Sequence, residues 1–131
     1  MLTLAITGFD TDPDSVTQTV GFEPTSIGRK GEPTASGRPR TFNGWWFETD
    51  GQRLLDGKQH DDALVRILAK LKGREDHFAR LRSSIQPKQV TIYGGLYVPS
   101  DDQSGVWLEP DQMQLLAACG VGWSIDFFAR D

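Results

Sequence analysis

The stretch Gln89 to Val98, QVTIYGGLYV, constrains the fold more than any other part of the chain. In an extended strand Val90, Ile92, Leu96 and Val98 fall on one side, and Tyr93 and Tyr97 on the other. Two unlike faces imply a sheet that packs one side under helices, the habit of antiparallel sheets. Gly94-Gly95 at its middle predicts a bulge or a close backbone approach.

The rest of the chain supplies partners for that strand. Residues 2–8 alternate Leu2, Leu4 and Ile6 against Thr3, Ala5 and Thr7, which predicts a strand. Asp12-Pro13-Asp14-Ser15 is a helix start, with an acidic cap, a first-turn proline and carboxylates at the positive helix end. Val16 and Val20 share a face of that helix, and Gly21 stops it. Ser26 to Lys30 reads as a second strand, and Trp45-Trp46-Phe47-Glu48 as a third that ends at the Asp50-Gly51 turn. A helix entered at Asp61-Asp62 carries Leu64, Ile67, Leu68 and Leu71 at i, i+3, i+4 and i+7. Gly73 interrupts it, and Phe78, Leu81 and Ile85 follow either in one kinked helix or in a second one, the second being preferred because Gly73 is a natural cap. Val106 to Leu108 reads as a short strand. Pro110-Asp111 opens a last helix with Met113, Leu116 and Ala117 on its stripe, stopped at Gly120 or Gly122, and Trp123 to Phe128 closes the chain as a strand.

The expected fold class is therefore α+β: a mostly antiparallel sheet with helices on one face. A ferredoxin-like βαββαβ core is extended by a C-terminal β-α-β. At 131 residues the chain supports one domain, 1–131, large enough to hold a core without metal or disulfide. Residues 31–44, GEPTASGRPRTFNG, have no apolar period and read as a mobile Gly/Pro/Arg loop.

At Gly21 to Pro33, GFEPTSIGRKGEP, a glycine, Pro-Thr and then Lys-Gly-Glu follow a strand-to-helix entry at Phe9 to Asp14. With the Trp45-Trp46 strand and the Leu-rich helix at Ala63 to Leu71, this pattern resembles the bacterial domain-of-unknown-function family 4279. The resemblance spans Leu2 to Phe128. It implies a compact α+β domain, commonly a stand-alone bacterial protein, and carries over no catalytic residue.

Charge and cysteine content narrow the function classes. Eighteen acidic against fourteen basic residues leave a net charge of −4, which argues against nucleic acid as the partner, as does the lack of an RRM signature. No 18-residue apolar run exists, and residues 1–9 lack the basic start and long apolar run of a signal peptide, so membrane residence is not expected. Cytoplasmic location is the default, and the one thiol, Cys119, agrees with it.

Candidate chemistry is sparse. His60-Asp61-Asp62 has the residue types of a metal or acid–base site, but a helix cap with favourable dipole charge accounts for it better. Cys119 sits among Leu115, Leu116, Ala117 and Ala118 with no base nearby, the setting of a buried hydrophobe rather than a nucleophile. Serine-hydrolase, Walker A and zinc-protease motifs are absent. No metal and no cofactor is expected.

Two binding features stand out. Arg29, Lys30, Arg38 and Arg40 against Glu32 give residues 28–42 a local charge of 4 − 1 = +3 in a glycine-rich loop suited to an anion or acidic surface. Tyr93, Tyr97 and one of Trp45 and Trp46 should share the sheet face away from the helices. That face is either a recognition surface, since such residues dominate binding hot spots, or a second core layer covered by the 31–44 loop or the last helix. The leading expectation is a small non-enzymatic binding module for a protein partner, self-association included. The alternative is a small enzyme or ligand-binding protein holding an anionic small molecule in the 29–40 loop, with Asp10, Asp12, Glu48 and His60 as the available acid–base groups.

Overall fold

Strand β1 (Leu2–Phe9) lies at the centre of a five-stranded sheet in the computed structural model, which describes residues 1–101, 103 and 105–130. The other strands are β2 (Ser26–Gly28), β3 (Asn43–Glu48), β4 (Gln89–Pro99) and β5 (Gly122–Arg130), and the sheet order is β2-β3-β1-β4-β5. Neighbouring strands are antiparallel except β4 and β5, which run parallel because a helical crossover joins them. The helices are α1 (Pro13–Val20), α2 (Gly57–Leu71), α3 (Glu75–Arg80), continued by a π-helical turn at Leu81–Ile85, and α4 (Pro110–Cys119).

The core lies between one sheet face and the helices. Leu2, Leu4, Ile6, Trp45, Ile92 and Leu96 project from the strands and are fully buried against Val16, Val20, Leu64, Ile67, Leu71, Phe78 and Leu81. Each such burial stabilises by about 1.5–3 kcal/mol relative to an exposed side chain. The helix ends follow the chemistry of the sequence. Asp12 accepts from the Asp14 N–H at the start of α1, and Gly21 (φ 86°) ends it in the left-handed region that glycine reaches without strain. Two separate helices flank Gly73, as its capping role predicts.

Four local readings are corrected. Helix α2 starts at Gly57, not Asp61, because Asp56 is the cap: its Oδ1 accepts from Gln59 N at 2.8 Å. His60 therefore lies inside the first turn, fully buried, instead of capping the helix. Residues 106–108 form no strand: β1 and Leu54 fill one side of β4, and β5 fills the other. Helix α4 buries Leu116 and Cys119 and leaves Met113 and Ala117 exposed. The second strand also ends at Gly28, two residues short of Lys30.

The glycine pair marks a close approach. The β1–β4 register runs without a slip from Thr7↔Gln89 to Leu2↔Gly94. A methyl group on Gly94 would lie 2.8 Å from Leu2 and 2.9 Å from the Met1 carbonyl oxygen, well inside van der Waals contact.

Candidate functional site: the open sheet face

The face turned away from the helices carries Trp46 on β3, Thr3 and Ala5 on β1, Tyr93 and Tyr97 on β4, and Phe128 on β5. Alternation decides the partition: Trp46 stands across from Ala5 and Tyr93 across from Thr3, whereas Trp45 and Ile92 face the core.

At the β2–β3 end the Trp46 ring lies over Gly44, a position where any side chain would collide with it. The Arg40 guanidinium sits 5.2 Å from the centre of the Trp46 ring and passes over Gly28. Cation–π contact holds it there, and its buried Nε has no hydrogen-bond partner among the described residues.

At the β4–β5 end Tyr97 stacks on Phe128, ring centres 5.0 Å apart and planes 17° from parallel, while the Arg53 guanidinium lies 4.7 Å from the Tyr97 ring centre. Gly95 makes room for the stack, since a methyl group there would lie 2.9 Å from Phe128 and 3.2 Å from Tyr97. Tyr93 and Phe128 remain 44% exposed. Beside them Thr3, Gly51, Arg53, Tyr93, Gly95 and Tyr97 line a shallow groove of about 270 Å³. Its outer wall exists because the segment after β3 turns past the end of β1 and pairs with β4, Tyr97 N donating to Leu54 O at 2.8 Å.

The basic loop is organised differently from the expected cradle. Residues 31–40 fold back as a small hairpin, closed by Gly31 N to Arg40 O (2.8 Å), Arg40 N to Glu32 O (2.7 Å) and Thr34 N to Arg38 O (2.8 Å). Arg29 turns away from it and pairs with Asp12 (2.8 Å) and Asp14 (3.5 Å) at the start of α1. The hydrogen bond from Arg29, aided by the Asp14 N–H, holds the Asp12 carboxyl below its ordinary pKa. Lys30 and Arg38 are exposed on separate parts of the turn. Lys30 lines a second groove with Asp10, Phe42 and Lys88. Of the four basic residues, then, only Arg40 joins the aromatic face.

Trp45 cannot serve at a surface. It is fully buried, edge-on to Phe22 (5.4 Å), and its indole N–H donates to Thr17 Oγ1 at 3.0 Å. The acid–base candidates are scattered. Asp10 and Asp12 follow one end of β1, Glu48 pairs across from Thr3 at the other, and His60 is sealed on the helix side. Burial raises the pKa of the Cys119 thiol, with Glu75 adding to the rise and Arg82 opposing it, which leaves an unreactive sulfur. Among the described residues no three His, Cys, Asp or Glu side chains converge as a metal site, and no helix is long and apolar enough to cross a membrane.

Arg53 and Phe128 join the surface without having been singled out as site residues. The alternation at Phe127-Phe128 carried a signal for one of them. Arg53 sits in an irregular segment whose path no periodicity encodes.

The molecule is thus an α+β domain with a one-sided sheet and an aromatic open face. It belongs to the family described as Domain of unknown function (DUF4279), which matches residues 1–129. Neither a curated protein nor a solved structure matches the chain.

Proposed function

We propose that the protein is a non-enzymatic binding module that recognises a protein partner through the open sheet face, with Tyr93, Tyr97, Phe128 and Arg53 as its centre. One observation carries this reading: Tyr93 and Phe128 stay 44% exposed on a face built from regular strands. Rigid aromatic side chains flanked by an arginine are the composition of binding hot spots. Trp46 and Arg40 extend the surface toward the hairpin. The first six elements are read as a ferredoxin-like unit, consistent with the central place of β1. The buried, unpaired thiol agrees with a cytoplasmic setting; a bacterial source follows only from the family resemblance. The anionic-ligand reading has less support, because the Arg29 guanidinium is already held by two carboxylates.

The test is the double variant Tyr93→Ser, Tyr97→Ser, compared with the wild type in affinity capture, in sedimentation and in thermal unfolding. Loss of capture or assembly at an unchanged melting temperature supports the surface. A large fall in melting temperature makes the two tyrosines part of the fold's own packing and overturns it.

A further inference from the structure

Resting on that reading for the aromatic row, we infer that the β5 edge beside the surface takes a second copy of this chain, joined by antiparallel pairing of β5 with β5 across a two-fold axis at Phe128. The two edges of the sheet differ. β2 is three residues long and leads directly into the 31–40 hairpin, whereas β5 runs for nine residues with no proline or lysine to blunt it. Among the described residues no strand or side chain bonds to its outer edge.

The charges of β5 are self-complementary. Asp126 and Arg130 are its only ionised side chains and lie on the same face as Phe128, one on each side of it. Both are exposed, and neither forms an ion pair among the described residues. With Phe128 on the axis, Asp126 stands opposite Arg130 of the second copy, and the reciprocal pair forms on the other side. Moving the axis to Asp126 would set two carboxylates face to face, and moving it to Phe127 would set Asp126 against Phe128; centred on Phe128, the pairing engages the last five residues of β5, 126–130, and matches opposite charges.

That register also completes the aromatic row. Arg53, Tyr97 and Phe128 form a stack that ends at the sheet edge. The axis places Phe128 against its own counterpart, so the row continues into the second copy. On the helix side Phe127, 53% exposed, comes opposite the small Ala129. A two-fold axis perpendicular to the sheet keeps all helices on one side and yields one continuous sheet, an isologous interface.

The test uses the full chain in sedimentation equilibrium across a wide concentration range. The wild type is expected to move from one chain toward two as concentration rises. Asp126→Arg and Arg130→Asp each place like charges opposite one another twice, and each should weaken dimerisation about tenfold or more. The double variant D126R/R130D restores opposite charges and should recover the wild-type constant. An equimolar mixture of the two single variants should form a mixed dimer. A wild type that stays monomeric at every concentration overturns the proposal. So does a dimer that Y97S weakens but neither charge reversal affects, which leaves the open face as a binding surface while retiring the edge.

Discussion

Trp123 on β5 donates its indole N–H to Nε2 of His60 in the first turn of α2, at 3.1 Å. An indole nitrogen only donates, so His60 Nε2 accepts, and the hydrogen sits on Nδ1, 2.8 Å from Asp61 Oδ1. The bond fastens the edge strand of the sheet to the helix that covers its centre. The rings meet edge to face at 5.6 Å. Trp123→Phe keeps most of the ring and removes the donor, leaving a buried acceptor unpaired. The loss should be about 1–2 kcal/mol, read from urea unfolding followed by far-UV circular dichroism. A variant as stable as the wild type would show that the bond contributes nothing.

The adjacent tryptophans should behave as opposites. Trp45→Ala empties a fully buried site and orphans Thr17, for a cost of about 3–5 kcal/mol. Trp46→Ala exposes Gly44 and releases Arg40, and should cost under about 2 kcal/mol because the ring is only half-buried. Denaturant midpoints for the pair check the assignment of faces directly. Equal losses would contradict it.

Cys119 should resist alkylation in the folded protein. Its sulfur is fully buried, and burial holds the thiol in its neutral, non-nucleophilic form. Iodoacetamide labelling followed by mass spectrometry should be slow at neutral pH and rapid once urea unfolds the chain. Fast labelling of the native protein would mean that the end of α4 opens.

The Asp12–Arg29 pair sets an expectation for acid. The folded Asp12 carboxyl titrates below its ordinary 3.8, so its contribution is present above that value and disappears as pH falls through the lower folded value. Asp12→Asn retains a cap acceptor for the Asp14 N–H while removing the charge. The variant should be less stable than the wild type at neutral pH, and the gap should close as pH falls through the lowered pKa of folded Asp12. Thermal unfolding across pH measures the gap. A gap independent of pH would assign it to the cap and not to the ion pair.

Much of this architecture was legible in the local pattern. Alternation in Val90, Ile92 and Leu96 against Tyr93 and Tyr97 separates core from open face, and the register with β1 bears that partition out. Gly73 divides α2 from α3 by a capping rule that acts over a few residues. Patterning failed where long-range competition decides. Val106 to Leu108 have strand character, but the flanks of β4 were already filled. Asp56 lies ahead of any apolar periodicity, so the start of α2 had no signal that the stripe from Leu64 to Leu71 supplies.

The candidate site divides in the same way. Period-two geometry requires Trp45 and Trp46 to point to opposite faces, because successive side chains on a strand must do so. Which of them enters the core depends on Phe22, Thr17 and α1, all distant in sequence. Net charge and spacing made residues 29–40 look like one basic cradle. In the folded chain Asp12 and Asp14 draw Arg29 away, and Trp46 takes Arg40. By itself the sequence determined the α+β class, the family and the division of the strands into two unlike faces, since propensity, capping and alternation are short-range properties. Only the tertiary structure brought Arg53, Tyr97 and Phe128 into one stack and left β5 as a long free edge, because those relationships depend on which strands become neighbours.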